Sequence, residues 1–554
     1  MGDATSFSPT CLSIGYIIAA WHRLPVSDRR RKTIGYPFYR QFSSGKLSAL
    51  LLTHRPGHPD KSTLAARRRE IEDAFQHAWG GYARHCLGHD SLHPVSNTCG
   101  DDHGGWGAIA FDALSTAIVF QKEHVVEQIL AHIATVDWSV VVGGTSVQLV
   151  EITNRHLASM LSAWDLLSGP FAHIAPQEDL RESLYQQMVE LGAVLSCGFS
   201  TPTGIPRNWV DPTLCTTDSA YSNTIAGAGS LVLEFARLSD ITGHRMYVEL
   251  VRKAEQHLLN PGPVKYEPWP GLLGTNVRIV DGQLVDRKGS WGAMSDSFYE
   301  YLLKAYIYDN QAYTDHLERW MQAASSTIRH IASHPYGRPE WTMLPYWEAG
   351  KLVHAMDAAS WFSGGNFILG GTVTGNQTLV DFGLSIADAA GAVYATTATG
   401  LGGEFVVWTD DCSAAYVEEY ELAHCNGNNS FQISNPEYRL RPEVIETWYH
   451  AYRATKNIKY REWTWSAFRA VTTLCKTDSG FSAISDVNAA DGGRMLDHME
   501  HFAEFFMYLW LIHVEDDNVL CGIVDGDAGA RQTWVLNTRA HPLMVNRRSG
   551  RARG

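Results

Sequence analysis

Apolar residues recur at helical spacing from about residue 65 onward. Ile71, Phe75, Ala78 and Tyr82 form one stripe, Leu114, Ile118 and Val119 a second, and Leu157, Leu161 and Trp164 a third. No comparable series of alternating strands is legible, so the pattern predicts an all-α chain. Two segments echo one another. Leu238 to Tyr247 and Ala451 to Tyr460 both read as helix, short turn, helix, with Thr and Tyr five apart in each. Gly243 and Asn457 tolerate the left-handed conformation that ends a helix, so each echo is expected to be the joint of an αα-hairpin. Stacked hairpins form a solenoid or a closed toroid.

No Pro/Gly/Ser-rich linker interrupts residues 65–545, which predicts one large helical domain there. An N-terminal tail or arm is expected over 1–64 and a basic C-terminal tail over 546–554. The apolar run 11–21 is too short to span a bilayer and has no basic segment before it, so no transmembrane helix is expected. Arg29-Arg30-Arg31-Lys32, between Pro25 and Pro37, reads as a solvated basic run.

Composition narrows the function classes. With 554 residues, 45% hydrophobic and 19% charged, the chain can bury a large core. A net charge of -14 argues against a nucleic-acid surface, and 11% aromatic residues suit sugar handling as well as a bulky core. The nine cysteines show no C-x-x-C spacing, so neither a zinc site nor a redox motif is signalled, and their odd number leaves at least one thiol unpaired within the chain. Asn376-Gln377-Thr378 and Asn428-Asn429-Ser430 are glycosylation sequons.

Candidate chemistry centres on Leu440-Arg441-Pro442-Glu443-Val444-Ile445-Glu446. Pro442 suits the first helical position, which puts Glu443 and Glu446 in the opening turns on one face. Glutamates there also complement the helix dipole without any catalytic role. Glu151 and Arg155 share a helix face, as a catalytic pair or a surface ion pair. Asp296 stands where a glycine-containing loop enters an apolar helix, as a functional acid or an N-cap. Glu404 follows the turn Thr399 to Gly403, and Glu500 lies in Asp497-His498-Met499-Glu500-His501. Spacing alone does not assemble these into one site.

Several blocks stand in order along the chain: Ala78-Trp79-Gly80-Gly81-Tyr82 with Gly88 to Ser96, Asp112-Ala113-Leu114, Thr201 to Pro206, the Asp296 segment, Leu440-Arg441-Pro442-Glu443, and Leu536 to Pro542. Together they resemble glycoside hydrolase family 47, the class I α-1,2-mannosidases, over nearly all of residues 67–545. The resemblance implies a single (α/α)7 barrel closed at one end by a short β-hairpin, with a calcium ion at the bottom of a sugar-accepting funnel. It implies that Thr538 binds calcium and that Glu404, Glu443, Glu446 and Glu500 hold the metal's waters, a hard-oxygen set that calcium accepts.

The same resemblance implies inverting hydrolysis of terminal α-1,2-linked mannose from mannosyl oligosaccharides, including N-glycans. Glu151 matches the general acid, Glu443 the general base and Asp296 the third acidic residue, with Arg155, Arg441 and Asp357 on the substrate. A high-mannose oligosaccharide or glycoprotein substrate, a monomer and a secretory or secreted address are the corresponding expectations.

Some positions depart from the family pattern. Gly227 stands for a glutamate, Ala358 for a histidine, Arg539 for the glutamate after the calcium threonine, Ser115 for an aspartate and His501 for a serine. Trp361 and Ala390 occupy the places of the family's internal disulfide, so that bridge is absent. Arg539 puts a cation beside the metal's outer shell and is expected to weaken calcium unless its side chain turns outward. These departures keep a second reading open, a mannose-glycan-binding member of the same fold that is catalytically weakened or inactive.

Overall fold

The computed structural model describes residues 59–412, 430–514 and 533–546. The apolar run 11–21, the basic run 29–32, most of the expected N-terminal arm, Asn428 and nearly all of the C-terminal tail lie outside them.

Fourteen long helices dominate the described residues. In chain order they are α1 (Lys61–His85), α2 (Ala108–Val119), α3 (Glu123–Ile133), α4 (Ala158–Leu167), α5 (Glu178–Ser196), α6 (Val232–Thr242) and α7 (Met246–Leu259). They continue as α8 (Asp296–Tyr308), α9 (Thr314–Ser326), α10 (Phe362–Thr374), α11 (Gln377–Thr396), α12 (Glu443–Thr455), α13 (Ile458–Leu474) and α14 (Phe502–Leu511). The even-numbered helices pack each against the next, and α14 packs back against α2, so seven inner helices close a ring. The odd-numbered helices lie outside it. This is the (α/α)7 barrel that the resemblance implies.

Residue pattern explains which helix goes where. Every residue of α14 is buried, as are eleven of the twelve in α2, and a helix that is apolar all round has to sit in the interior. Outer α9 instead buries one stripe, His316, Arg319, Trp320, Ala323 and Ala324, at spacings of three and four. By composition only α11 is long and apolar enough to cross a membrane among the described residues, and it is over half buried, packed on α10.

Helix ends mostly fall where the chemistry places them, with two adjustments. Gly243 ends α6 in the left-handed region at φ 75°. In the second echo that conformation belongs to Lys456, φ 55°, while Asn457 accepts from Lys459 N and caps α13. Asparagine serves both roles, and the side-chain cap won. α1 starts at Lys61, four residues before the expected onset, because Asp60 caps it by accepting from Thr63 N at 2.8 Å.

The strands missed by the sequence pattern are two to five residues long and form small two- and three-stranded sheets in the loops. Such lengths leave no alternation to detect. One of these sheets, Trp534–Leu536 paired with Pro542–Met544, is the expected hairpin. It enters from the C-terminal ends of the inner helices: Asn546 N donates to Tyr308 O at 2.9 Å, and Met544 N donates to Asp165 at 2.8 Å. Its tip climbs towards their N-terminal ends.

Disulfides join Cys86 to Cys99 and Cys197 to Cys215, Cys412 is also bridged, and buried Cys475 is free. Trp361 and Ala390 are both buried in the core instead of being linked. Trp361 O accepts from Thr447 Oγ1 at 2.6 Å, tying the segment before α10 to α12.

Candidate functional site

Acidic residues gather at the N-terminal ends of the inner helices. Glu151 precedes α4, Asp296 opens α8, Glu443 opens α12, and Glu504 lies in the first turn of α14. The partial positive charge at a helix start stabilises carboxylates there. Four residues beside the site adopt the left-handed conformation without being glycine: Met294, Leu440, His501 and Ala540. Such strain persists where the surroundings over-determine it, and each of these residues lies within two positions of Asp296, Arg441, Glu500 or Arg539.

Glu151 and Arg155 meet across an irregular turn. Leu149–Ile152 is α-helical, and Thr153–Leu157 widens into a π-turn before α4. Arg155 Nε donates to Glu151 Oε2 at 2.9 Å, and its Nη1 pairs with Asp112 of α2. The backbone carbonyl of Asn154, inside the π-turn, accepts from Asn537 Nδ2 of the hairpin tip at 3.0 Å. The hairpin tip itself is pinned because Asn537 Oδ1 accepts from Arg539 N and His541 N, both at 2.9 Å. Ser115 joins it to α2 through a 2.7 Å hydrogen bond with His541 Nδ1.

Arg539 points into the site. Its Nη2 donates to Glu151 Oε2 at 3.1 Å, its Nη1 donates to His501 Nδ1 at 2.8 Å, and Glu504 Oε2 lies 3.8 Å from Nη1. Burial alone raises the Glu151 carboxyl, but Arg539, then Arg155 and His103, overcome it and hold the group well below the usual carboxylate range. With Asp112, Arg155, His501, Ala503, Glu504 and Arg539 around it, a small cavity opens here.

Asp296 and Glu443 behave differently. Burial pushes Asp296 up to about 7, helped by Asp357, Glu300 and Glu443 and opposed by the Ser297 amide that donates to it at 2.7 Å. Asp296 is therefore not the N-cap of α8; Ser295 holds that place. Glu443 is also raised to about 7 by burial, against the pull of Arg441, whose Nη1 lies 3.7 Å away. Pro442 precedes the helix as its cap residue, so Glu443 is the first helical residue.

Other expected residues take structural partners. Arg441 donates to both oxygens of Glu404 at 2.8 to 3.1 Å. Asp357 accepts from Ala293 N at 3.1 Å, from Ser360 N and Oγ at 2.9 Å, and from the Tyr346 hydroxyl, which fixes the loop before α10 against the loop before α8. Glu446 accepts from Tyr508 at 2.9 Å, and burial raises it to about 7 although Lys304 lies 3.7 Å away. Glu500 is the most exposed of the set, 3.8 Å from His501 Nε2. Buried Ala358 donates its N–H to Glu404 O at 2.9 Å. Gly227 sits beside Asn223, whose Oδ1 would be 2.3 Å from any Cβ added there.

Glu504, Glu300 and Lys304 are not among the residues that the sequence pattern singles out. Each is a charged residue inside an otherwise apolar helix, Phe502-Ala503-Glu504-Phe505 and Tyr299-Glu300-Tyr301-Leu302-Leu303-Lys304, and a buried charge without evident cause was the available signal. All three are buried, and Lys304 pairs with Glu300.

Among the described residues no three Asp, Glu, His or Cys side chains converge as a metal cage. The residues nonetheless suit a hard divalent ion. Buried Oε2 atoms of Glu443 and Glu504 lack any hydrogen-bond partner, and burial together with Glu443, Glu446 and Glu300 drives the Glu504 carboxyl far up despite Arg539. Thr538, at the hairpin tip, has its N–H 3.4 Å from the Tyr301 hydroxyl. Threonine and carboxylate oxygens are the donor type that calcium takes.

Comparison with known proteins agrees with this architecture. Residues 74–545 match the sequence profile of Glycosyl hydrolase family 47. A probable mannosyl-oligosaccharide alpha-1,2-mannosidase 1B of Aspergillus niger is 43% identical over 492 residues, covering 88% of this chain and 93% of that one. The mannosyl-oligosaccharide alpha-1,2-mannosidase of Penicillium citrinum is 42% identical over 510 residues, 90% and 97% of the two chains. The solved alpha-1,2-mannosidase from Trichoderma reesei superposes with a TM-score of 0.83 at 37% identity, covering 87% of this chain and 99% of that one. A profile match across most of the barrel, relatives above 40% identity and a shared fold lead to one conclusion: the chain belongs to glycosyl hydrolase family 47 and is a glycosidase.

Proposed function

We propose that this glycosidase releases terminal α-1,2-linked mannose from mannosyl oligosaccharides by a single displacement with inversion at the anomeric carbon. The observation that carries the reading is Glu443, a largely buried carboxylate raised to about 7 with Oε2 free of hydrogen bonds. A base needs a vacant oxygen for the attacking water and a pKa near the working pH. Inversion needs a second carboxyl group to protonate the leaving oxygen, the part assigned to Glu151 with proton delivery through a water. Asp296, raised to about 7 beside Asp357 and Glu443, is the third acid of the site. Arg155, Arg441 and Asp357 orient the sugar.

Thr538, with Glu404, Glu443, Glu446 and Glu500 around its waters, would hold calcium. When bound, the ion supplies positive charge that grips neighbouring sugar hydroxyls and favours a distorted ring. Two well-separated disulfides support an oxidising compartment, the secretory pathway or the outside of the cell, where glycoprotein substrates are found. One observation favours the alternative reading, a mannose-glycan binder with weak or no turnover: two guanidiniums hold Glu151 in its charged form.

Turnover of an α-1,2-linked mannobiose, followed by NMR of the anomeric protons with and without a chelator, tests both readings. The expected first product is β-mannose, and its rate falls in chelator. Appearance of α-mannose first overturns inversion, and a rate indifferent to chelator overturns the calcium assignment. Disaccharide binding without turnover selects the binding reading.

A further inference from the structure

Two cationic side chains lie among the buried carboxylates at the floor of the site. Lys304 pairs with Glu300 and lies 3.7 Å from Glu446. Arg539 reaches Glu151 at 3.1 Å and Glu504 at 3.8 Å from the hairpin tip, one residue after Thr538. The acidic side chains Glu300, Glu443, Glu446 and Glu504 outnumber these two cations. Arg441 offsets this only in part, because Glu404 holds it bidentately and its Nη1 stays 3.7 Å from Glu443.

The surroundings of Arg539 suit a permanent charge. A guanidinium only donates and keeps its proton in proteins, so His501 Nδ1, 2.8 Å from Nη1, is the acceptor and the imidazole is neutral. The ring proton then sits on Nε2, on the side of Glu500. One side chain thus donates to Glu151 and His501 and lies 3.8 Å from Glu504, one residue along from the expected calcium threonine.

We propose that Arg539 is a resident counter-cation, which pairs with Glu151 beside Glu504 when no divalent ion is bound and competes with that ion when it arrives. The proposal rests on the calcium reading above. Its physical basis is that a charge a few ångströms from a dication in a partly buried site opposes binding, whereas the same charge relieves the carboxylates when the dication is gone. Arg539 therefore uncouples the integrity of the barrel floor from metal supply.

Thermal unfolding of the full chain in calcium and in chelator, together with calcium calorimetry, provides the test for the parent, Arg539→Gln and Arg539→Lys. The glutamine variant is expected to bind calcium about tenfold more tightly, roughly 1.4 kcal/mol, and to lose more than twice as many degrees of Tm in chelator as the parent does. The lysine variant keeps the charge and stays within about threefold of the parent affinity. Equal affinities and equal chelator shifts in parent and glutamine variant overturn the inference and leave the calcium reading standing. Absence of calcium binding in both overturns the two together. Should the glutamine variant fail to fold, the lysine variant decides: an affinity near the parent's supports the role of charge, and a tenfold tightening refutes it.

Discussion

Arg539 Nη2 lies 3.1 Å from Glu151 Oε2, the same oxygen that Arg155 Nε holds at 2.9 Å. A carboxylate clamped by two guanidiniums resists taking a proton, the reverse of what a general acid requires. Loss of one clamp lets the Glu151 carboxyl rise towards its ordinary range. Arg539→Gln is therefore expected to raise kcat on α-1,2-mannobiose about threefold or more at pH 6, with a smaller effect on KM. A fall in kcat would show that Arg539 positions Glu151 usefully instead of disarming it.

Glu443 supplies the pH dependence. In its proposed role as the base it would act in its ionised form, and burial has raised it to about 7, so kcat/KM is expected to climb as pH rises through about 7. Glu443→Gln keeps the shape but cannot accept the proton, and a loss of roughly a hundredfold or more is expected with an unchanged Tm. Residual activity above about a tenth of the parent would mean that another group takes the proton from water.

Much of the barrel and part of its site are legible in the amino-acid sequence. Helical stripes such as Ile71, Phe75, Ala78 and Tyr82 place α1, because core helices must repeat near 3.6 residues. The Arg441 to Glu446 segment delivers its two glutamates to a helix start, because proline there leaves little choice. What stays hidden depends on distant partners. The π-turn at Thr153–Leu157 has no local marker, since its freed carbonyl is satisfied by Asn537, 383 residues away. Arg539 is recognisable as a cation beside the threonine expected to bind calcium, but whether a long side chain turns outward or onto Glu151 is decided by the packed barrel.

A buried histidine between outer helices gives a stability prediction with a definite sign. His316 Nε2 lies 3.1 Å from Glu255 and Nδ1 lies 2.8 Å from Asp315. Burial disfavours the imidazolium, yet Glu255 and Asp315 overcome it and raise the group to about 9. A raised folded pKa means stability that is fully present below about 6.5 and is lost as pH rises through about 9, on the order of 3 kcal/mol. Urea midpoints from pH 6 to 10 are expected to fall for the parent and to stay flatter for His316→Gln. Parallel curves would place the charge elsewhere.

Gly227 yields the last prediction, on why this chain does not simply carry a larger residue there. An added Cβ would meet Asn223 Oδ1 at 2.3 Å and Thr224 Oγ1 at 3.1 Å. Both atoms are engaged: Asn223 Oδ1 accepts from Thr224 N at 2.8 Å, and Thr224 Oγ1 caps the short helix Ile225–Gly229 by accepting from Gly227 N at 2.9 Å. Asn223 Nδ2 also donates to Pro206 O at 3.0 Å, so the side chain cannot swing away without breaking a buried bond. Alanine ordinarily improves a helix over glycine by roughly 0.5–1 kcal/mol, but overpacking of this kind costs about 1–3 kcal/mol and should win. Gly227→Ala is therefore expected to lower the urea midpoint, and Asn223→Ala in the same chain to recover part of the loss, with a coupling of about 1 kcal/mol. Strict additivity of the two changes would show that Asn223 yields freely, and that the absence of a glutamate at position 227 has no packing cause.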